Sequence, residues 1–251
     1  MDKSIYTALN SMGILKRNQS VTSQNLANVS STGFQKDMQT NFSSVYLDTN
    51  KGLDARVFAL QDTGGFDSTP GPKIQTGGAL DLAIDGNGYF LVLPANGKAA
   101  MSKRGDFGVS ADGKLTDGTG SAALNVDMEP MEIPPHRKIS ISGDGIVEIE
   151  PLNGVPGVKV KVGQIATVSG SEEPLAKGED GYIRTVKGAV PEADNTTRIL
   201  SGFLEGSNVK SVDELVAGIE QSRAYEINVK FISTAKEIDE ATASLMRMPG
   251  S

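Results

Sequence analysis

Apolar and small residues recur near the start of the chain at alternating intervals of three and four. This spacing is the heptad seam of an amphipathic helix that packs lengthwise against other helices. Two polar members of the seam, Gln19 and Thr22, weaken it as a self-sufficient coiled coil but can fix its register. The seam comprises Ile5, Ala8, Met12, Leu15, Gln19, Thr22, Leu26 and Val29.

The end of this first helix is predicted at Gly33 and Phe34. Glycine readily adopts the left-handed conformation that ends helices, and Phe34 then falls where it can pack back onto Val29. Weak helix formers at residues 30–32 leave open an earlier end at Asn28. The longer version of the helix would span about 40 Å, which is more than one side of a small domain needs.

A second long helix is predicted at the other end of the chain. Ser211 followed by Glu214 is a capping-box signature, and Pro249-Gly250 is the predicted end. The first apolar face comprises Val212, Leu215, Ile219, Ile227, Phe231, Ile238 and Leu245, and the second comprises Val216, Tyr225, Val229 and Ile232. From residue 219 to 231 the seam positions are four residues apart, which is a stutter in the heptad pattern. The apolar stripe therefore turns around the helix axis, and two faces result. One partner helix cannot cover both, so the pattern predicts packing against other subunits.

Between the two helices the pattern changes to that of short strands. Five Asp-Gly and three Asn-Gly pairs punctuate residues 79–203, which predicts hairpins in an antiparallel sheet or small barrel. The predicted strands include residues 80–84, 89–93, 139–141, 146–149 and 158–162, with another candidate at 56–60. Residues 35–78 show weaker signals and are predicted to form an extended connecting segment. The predicted fold class is α+β, with a discontinuous helical domain from residues 1–34 and 204–251 and a mostly antiparallel central β domain at 79–203.

Composition narrows the class of protein. The net charge of −7 and the scattered lysines and arginines exclude a basic surface for nucleic acid. The chain has no cysteine, hence no disulfide framework and no thiolate nucleophile. Its sequence contains no run of the roughly 18 apolar residues that a membrane span needs. Polar residues such as Lys16 and Arg17 interrupt the apolar core that a secretory signal requires, so sequence physics alone predicts a cytoplasmic protein.

Candidate chemistry is sparse in this sequence. His136 is the single histidine, so one chain cannot build a catalytic triad or a histidine-rich metal site. The acidic turns at Asp85 and Asp112 lack the ligand spacing of an EF-hand loop, and the Gly86-Asn-Gly88 stretch lacks the third glycine of a dinucleotide site. Asp81 stands out among the carboxylates because it interrupts an apolar run. An outward-facing strand residue or a turn-capping acid explains this position without any chemical role. We predict no catalytic, cofactor-binding or metal residues.

Motifs at both ends resemble the axial proteins of the bacterial flagellum, a family that includes its basal-body rod proteins. The N-terminal motifs are Asn25-Leu-Ala-Asn28 and Gly33-Phe34, and the C-terminal ones are Leu204-Glu-Gly-Ser-Asn-Val209 and Arg223-Ala-Tyr-Glu-Ile-Asn228. The opening residues and the chain length resemble the proximal rod proteins more than the distal rod or hook proteins.

The middle of the chain is similar to the same family. Leu80-Asp81 followed by Gly86-Asn-Gly88-Tyr-Phe90, and Gly105-Asp-Phe107 followed by Asp112-Gly113, resemble its strand and hairpin signatures. The chain departs from the family pattern at Gly78-Ala79, where Asn-Pro is usual, and at Met101-Ser-Lys103, where Tyr-Thr-Arg is common.

The resemblance implies a structural subunit, not an enzyme, of the proximal rod in the flagellar basal body. It implies export without a cleaved signal through the flagellar export apparatus, and partners that are copies of the chain and neighbouring rod proteins, without nucleic acid or membrane insertion. The predicted assembly interface comprises Ile5, Met12, Leu15, Leu26, Val29, Gly33, Phe34, Leu215, Ile219, Tyr225, Ile227 and Phe231. Two alternatives stay open: a distal rod or hook-type protein, and a secreted wall-acting hydrolase using carboxylates such as Asp81.

Overall fold

A computed structural model describes residues 2–39, 65–170, 174–188, 190–194 and 196–246 of the 251-residue chain. The chain divides into two compact units. The helical unit contains the two terminal helices with residues 37–39 and Gly65, and the β unit contains residues 28–36 and the described part of 66–209. The strand predicted at 56–60 lies outside the described residues. Within the described ranges, no helix is both long and apolar enough to span a membrane.

The helical unit contains α1 (Asp2–Ala27) and α2 (Ser211–Met246). At about 1.5 Å per residue the two helices are roughly 39 and 54 Å long. α2 begins at Ser211, and Asp213 and Glu214 lie in its first turn, where carboxylates interact favourably with the helix dipole. The helix end predicted at Pro249-Gly250 lies outside the described residues.

The end of α1 differs from the prediction. α1 ends at Ala27, so the predicted end at Gly33 is wrong and the alternative end at Asn28 is the one adopted. Directly after the helix, the Ser31 N–H donates to the Asn28 carbonyl at 3.1 Å and the Ser31 hydroxyl lies 3.0 Å from Asn28 Oδ1. Short polar side chains compete with a helix in this way, because they offer local hydrogen bonds in a turn.

The β unit is a set of short strands. They are β1 (Lys73–Gln75), β2 (Leu82–Asp85), β3 (Tyr89–Leu93), β4 (Ala100–Ser102), β5 (Gly108–Val109), β6 (Leu115–Thr116), β7 (Ala122–Ala123), β8 (His136–Ile141), β9 (Ile146–Pro151), β10 (Val160–Gln164), β11 (Thr167–Val168), β12 (Leu175–Lys177), β13 (Ile183–Thr185), β14 (Arg198–Ser201) and β15 (Phe203–Glu205). All pairings among these described strands are antiparallel. Two terminal helices with a central antiparallel region confirm the predicted α+β class.

An Asp-Gly or Asn-Gly pair lies in the connection between each of six successive pairs of strands. They are β3–β4, β5–β6, β6–β7, β8–β9, β9–β10 and β12–β13. β2 is the exception, because it pairs with the distant β14 and not with β3, which follows it after Asp85-Gly86 and Asn87-Gly88. A strand also lies within the predicted connecting segment, since β1 pairs with β15.

The core of the β unit lies on both sides of β3. Phe90 and Val92 belong to one hydrophobic cluster, whereas Tyr89 and Leu91 belong to another. This division follows from the strand geometry, in which successive side chains point to opposite faces. The Phe90 ring meets the Phe107 ring edge to face at 5.3 Å. The β unit therefore has an apolar core of its own.

Candidate assembly interface

α2 carries its large apolar side chains on its exposed side. Exposure of the side chains predicted for assembly ranges from 40% at Tyr225 to 67% at Ile227. The set comprises Leu215, Ile219, Tyr225, Ile227 and Phe231, and Val212, Val216, Val229 and Ile238 are exposed beside them. Extended exposed apolar surfaces on soluble proteins mark interaction sites. These five predicted residues are therefore exposed on the surface of the helical unit.

The opposite, less exposed side of α2 is polar or small. Apart from the adjacent pair Ala217 and Gly218, its members recur every three or four residues, as in a heptad seam. Between residues 211 and 244 they are Glu214, Ala217, Gly218, Gln221, Ala224, Asn228, Ile232, Ala235, Asp239 and Thr242. Ile232 alone among them is large and apolar. An ordinary amphipathic helix turns its apolar side to the core, so α2 is inverted.

α1 lies antiparallel to α2 along this polar side. Three side-chain hydrogen bonds join the helices in reverse order along the two: Gln19 to Ser222, Gln221 to Thr22, and Asn25 to Glu214. Their donor–acceptor distances are 3.3, 3.1 and 3.4 Å. The described contacts between the helices therefore include hydrogen bonds as well as apolar packing.

The predicted residues of α1 are partly covered. Met12, Leu15 and Leu26 are half-buried, and Leu26 lines a groove of the helical unit together with Leu215 and Ile219. Ile5 belongs to α1, but its side chain lies outside the described part of the structure. The structure thus brings together one predicted residue of α1 and two of α2.

The other three predicted residues, Val29, Gly33 and Phe34, lie in the β unit beyond the end of α1. Gly33 has a φ of 66°, and its N–H donates to the Glu205 carbonyl at 2.7 Å. A Cβ at this position would lie 2.5 Å from the Lys103 carbonyl carbon, so only glycine fits. Phe34 places its ring 3.9 Å from the Lys177 ammonium. Gly33 and Phe34 are therefore positioned by the β unit and do not end the helix.

A buried ion pair lies in the same part of the β unit, and sequence reasoning missed it. The Lys103 ammonium lies 3.3 Å from the Glu205 carboxylate and donates to the Gly86 carbonyl at 3.0 Å, while Glu205 also accepts from the Gly71 N–H at 3.0 Å. Burial raises the pKa of the Glu205 carboxyl, although Lys103 opposes that shift. Burial also lowers the pKa of the Lys103 ammonium, against the effect of Glu205.

Asn208 is a second residue that sequence reasoning did not single out. Its side-chain oxygen accepts from the Lys36 N–H at 2.7 Å, and its side-chain nitrogen donates to the carbonyls of Asp67 and Thr69 at 2.9 and 3.0 Å. Asn208 thus joins the segment that follows α1 to the segment that precedes β1. Glu205 and Asn208 both lie in the motif Leu204-Glu-Gly-Ser-Asn-Val209, which was the one available signal.

The candidate chemical residues have structural partners. His136 begins β8, with Nδ1 3.0 Å from the Pro134 carbonyl. The backbone of Asp81 forms an isolated antiparallel β-bridge with the backbone of Asp106. The Asp106 carboxylate accepts two hydrogen bonds from the Arg104 guanidinium, at 2.7 and 2.8 Å. Among the described residues, no three histidine, aspartate or glutamate side chains are grouped as metal ligands.

Two family models match the chain. The C-terminal model of the flagellar basal body rod FlgEFG proteins matches residues 200–245, and the D1 domain model of the flagellar hook protein FlgE/F/G group matches residues 83–149. The basal-body rod protein FlgF of Salmonella typhimurium is 31% identical over 254 residues, covering 99% of this chain and 100% of the relative. The chain belongs to the flagellar basal-body rod protein family.

This rod protein is most like the FlgF members of the family. FlgF of Escherichia coli is 31% identical over 247 residues, which cover 94% of this chain and 95% of the relative. The rod protein FlgG of Bacillus subtilis is 30% identical over a longer alignment of 267 residues, covering 98% of this chain and 100% of the relative. The family consists of structural rod proteins, so the chain is a structural component of the flagellar basal body and not an enzyme.

Proposed function

We propose that this rod protein assembles through its terminal helices into the proximal rod, the shaft that crosses the periplasm. The inverted character of α2 carries the proposal, since its large apolar side chains face outward and its polar and small side chains lie on the side toward α1. In a rod these outward side chains are buried against neighbouring subunits.

The exposed apolar residues of α2 are numerous enough to drive association. Full burial of one such side chain is worth about 1.5–3 kcal/mol, so covering the exposed half gains about 1 kcal/mol each. The nine exposed side chains of α2 together supply on the order of 10 kcal/mol before the costs of ordering and association.

The two faces require more than one neighbour. Contacts between different surfaces of identical or related subunits generate rings where the rotation closes and helical assemblies where it does not, and a rod requires the second case. We infer that α1 and α2 form one axial domain that is discontinuous in sequence, with copies of the chain and neighbouring rod proteins as partners. The domain boundaries predicted at residues 34, 78 and 203 stay predictions.

We further propose that the chain reaches the periplasm unfolded, through the flagellar export apparatus and without a cleaved signal. The helical unit suits such a route, because Ala8 and Ile14 are the buried apolar side chains among its described residues, and so small a core gains little from folding alone. Without neighbours, the ordering entropy of the terminal segments has little to offset it. The helices therefore order during assembly.

An aspartate at an outward apolar position tests the proposal. Ile227→Asp puts a carboxylate where a neighbour would bury it, at a side chain that is 67% exposed. We expect its incorporation into purified basal bodies to fall at least about tenfold, which corresponds to about 1.4 kcal/mol. Swimming motility should be lost with it.

Ala95→Asp is the matched control, since it adds the same charge at an exposed turn position of the β unit, away from α2. It should assemble at the level of the native chain. Normal incorporation of Ile227→Asp would contradict the proposed interface.

A further inference from the structure

We propose that Asn25 fixes the register of α1 against α2, and so decides which apolar side chains the helix pair presents to a neighbouring subunit. This inference rests on the proposed assembly function. It concerns a positioning residue, since Asn25 is fully buried and acts through the helices that it joins.

The Asn25 amide forms two hydrogen bonds with the backbone of a single residue, Asp37, in the segment after α1. Its Oδ1 accepts from the Asp37 N–H at 2.9 Å, and its Nδ2 donates to the Asp37 carbonyl at 3.0 Å. These two bonds fix the orientation of the amide. The second hydrogen of Nδ2 therefore points in a fixed direction and is available to another acceptor.

The acceptor of that hydrogen is the carboxylate of Glu214, in the first turn of α2. Asn25 Nδ2 donates to Glu214 Oε2 at 3.4 Å, and Glu214 is 1% exposed. One side chain thus joins α1, the segment at residue 37 and the first turn of α2. Aspartate has no N–H to donate, leucine has no polar atom, and glutamine is one methylene longer, so asparagine alone suits both partners.

The rest of the seam specifies register weakly. Its positions at intervals of seven on α2 are Glu214, Gln221, Asn228, Ala235 and Thr242, and Ile232 is the one large apolar side chain on the side toward α1. Because few large side chains interlock, a shift of one heptad, about 10.5 Å along the helix, meets little steric resistance. A buried polar residue at a core position is the best-attested device for excluding such shifts.

A neighbouring polar layer supports the same register. Thr22 Oγ1 accepts from Gln221 Nε2 and from Gln39 Nε2, both at 3.1 Å. Gln39 and Asp37 belong to the same short segment, so both layers hold that segment as well as α2. Asn25 differs from Thr22 because its carboxylate partner, Glu214, is the one buried acid among the described residues of α2.

Engineered disulfides can report the register, because the chain has no cysteine. The pair Gln19→Cys with Ser222→Cys reports the observed register, in which these side chains are in hydrogen-bond contact. Gln19→Cys with Leu215→Cys or with Val229→Cys reports a shift of one heptad in either direction. Each pair is oxidised in purified basal bodies, and linked tryptic peptides are measured by mass spectrometry.

With Asn25 intact, we expect the pair at 19 and 222 to exceed both shifted pairs by at least about tenfold. With Asn25→Leu, the yield of a shifted pair should rise to that of the observed pair. Assembled Asn25→Leu chains that keep the native preference would overturn the inference. General destabilisation lowers all yields and does not create a shifted product.

Variants of Glu214 cover the case in which Asn25→Leu does not assemble. Glu214→Gln keeps an oxygen that can accept from Asn25 Nδ2, so assembly with the native cross-link should be kept. Glu214→Leu removes that acceptor, whereas the two bonds between Asn25 and Asp37 can still form, so the yield of a shifted pair should rise. A native preference in assembled Glu214→Leu chains would count against Asn25 as the register residue. Absence of the chain from basal bodies even with Asn25 intact would instead overturn the proposed function on which the inference rests.

Discussion

Single polar residues with several hydrogen-bond partners organise both units of this rod protein. Asn25 ties three segments of the helical unit, and Asn208 ties two segments of the β unit. Lys103 and Glu205 form an ion pair whose two side chains are fully buried. Removing one member of such a pair costs far more than replacing both, because the remaining charge is left uncompensated.

The ion pair leads to a prediction for stability. Lys103→Met leaves the Glu205 carboxylate without its cation, and we expect the free energy of unfolding to fall by about 3–5 kcal/mol. Lys103→Met with Glu205→Gln removes both charges and keeps an oxygen for the Gly71 N–H, so most of the loss should be recovered. Urea unfolding followed by circular dichroism measures both. A double variant as unstable as the single one would contradict the account.

The same variant should depend on pH in a defined direction. Burial raises the pKa of Glu205 and Lys103 opposes the shift, so removing Lys103 raises that pKa further. A carboxyl whose pKa is higher in the folded chain stabilises the fold below its unfolded pKa, and this contribution is lost as the pH rises through the folded pKa. The stability deficit of Lys103→Met should therefore be smaller at about pH 5 than at about pH 8. A deficit that is unchanged between the two urea titrations would show that Glu205 does not carry the effect.

Gly33 offers a further test with a control of similar backbone conformation. Gly33 and Gly97 have φ values of 66° and 74°, but a Cβ would collide with backbone at Gly33 and meet nothing within 4 Å at Gly97. Both alanine variants carry the left-handed strain of about 1–2 kcal/mol, and Gly33→Ala carries the steric collision in addition. Urea midpoints should therefore fall more for Gly33→Ala. Equal shifts would show that the close contact with residues 103 and 104 is unimportant.

At the scale of elements, local turn chemistry was predictable and long-range pairing was not. Asn-Gly and Asp-Gly pairs fix tight turns locally, which is why β8–β9 and β12–β13 form where the sequence predicts hairpins. β2 pairs with β14, more than a hundred residues away, and no turn signal reports such a pairing. α1 ends before Gly33 because local hydrogen bonds of Ser31 compete with the helix.

The candidate interface divides in the same way. The exposed apolar faces of α2 follow from periodicity, so Ile219 and Ile227 were predictable as surface features, although their role in assembly stays a prediction. The hydrogen-bond partners of the polar side chains between α1 and α2 were not predictable. Asn25, Asp37 and Glu214 meet only after two helices and a loop are packed, and hydrophobic periodicity carries no information on buried hydrogen bonds.

At the scale of the whole molecule, the two units distribute their apolar residues differently. The β unit buries its large side chains around β3, whereas α2 leaves its own exposed. Exposed apolar surfaces of this kind mark interaction sites. We therefore expect neighbouring subunits to cover α2 in the rod.

Limited proteolysis with trypsin, applied to the purified chain and to basal bodies that contain it, tests this expectation most directly. Arg223 and Lys230 are exposed cleavage sites on α2. We expect rapid cleavage at both in the isolated chain, survival of a fragment from the β unit, and protection of both sites in basal bodies. Equal cleavage of the isolated and the assembled chain at these two sites would contradict the central claim that α2 is buried by its neighbours.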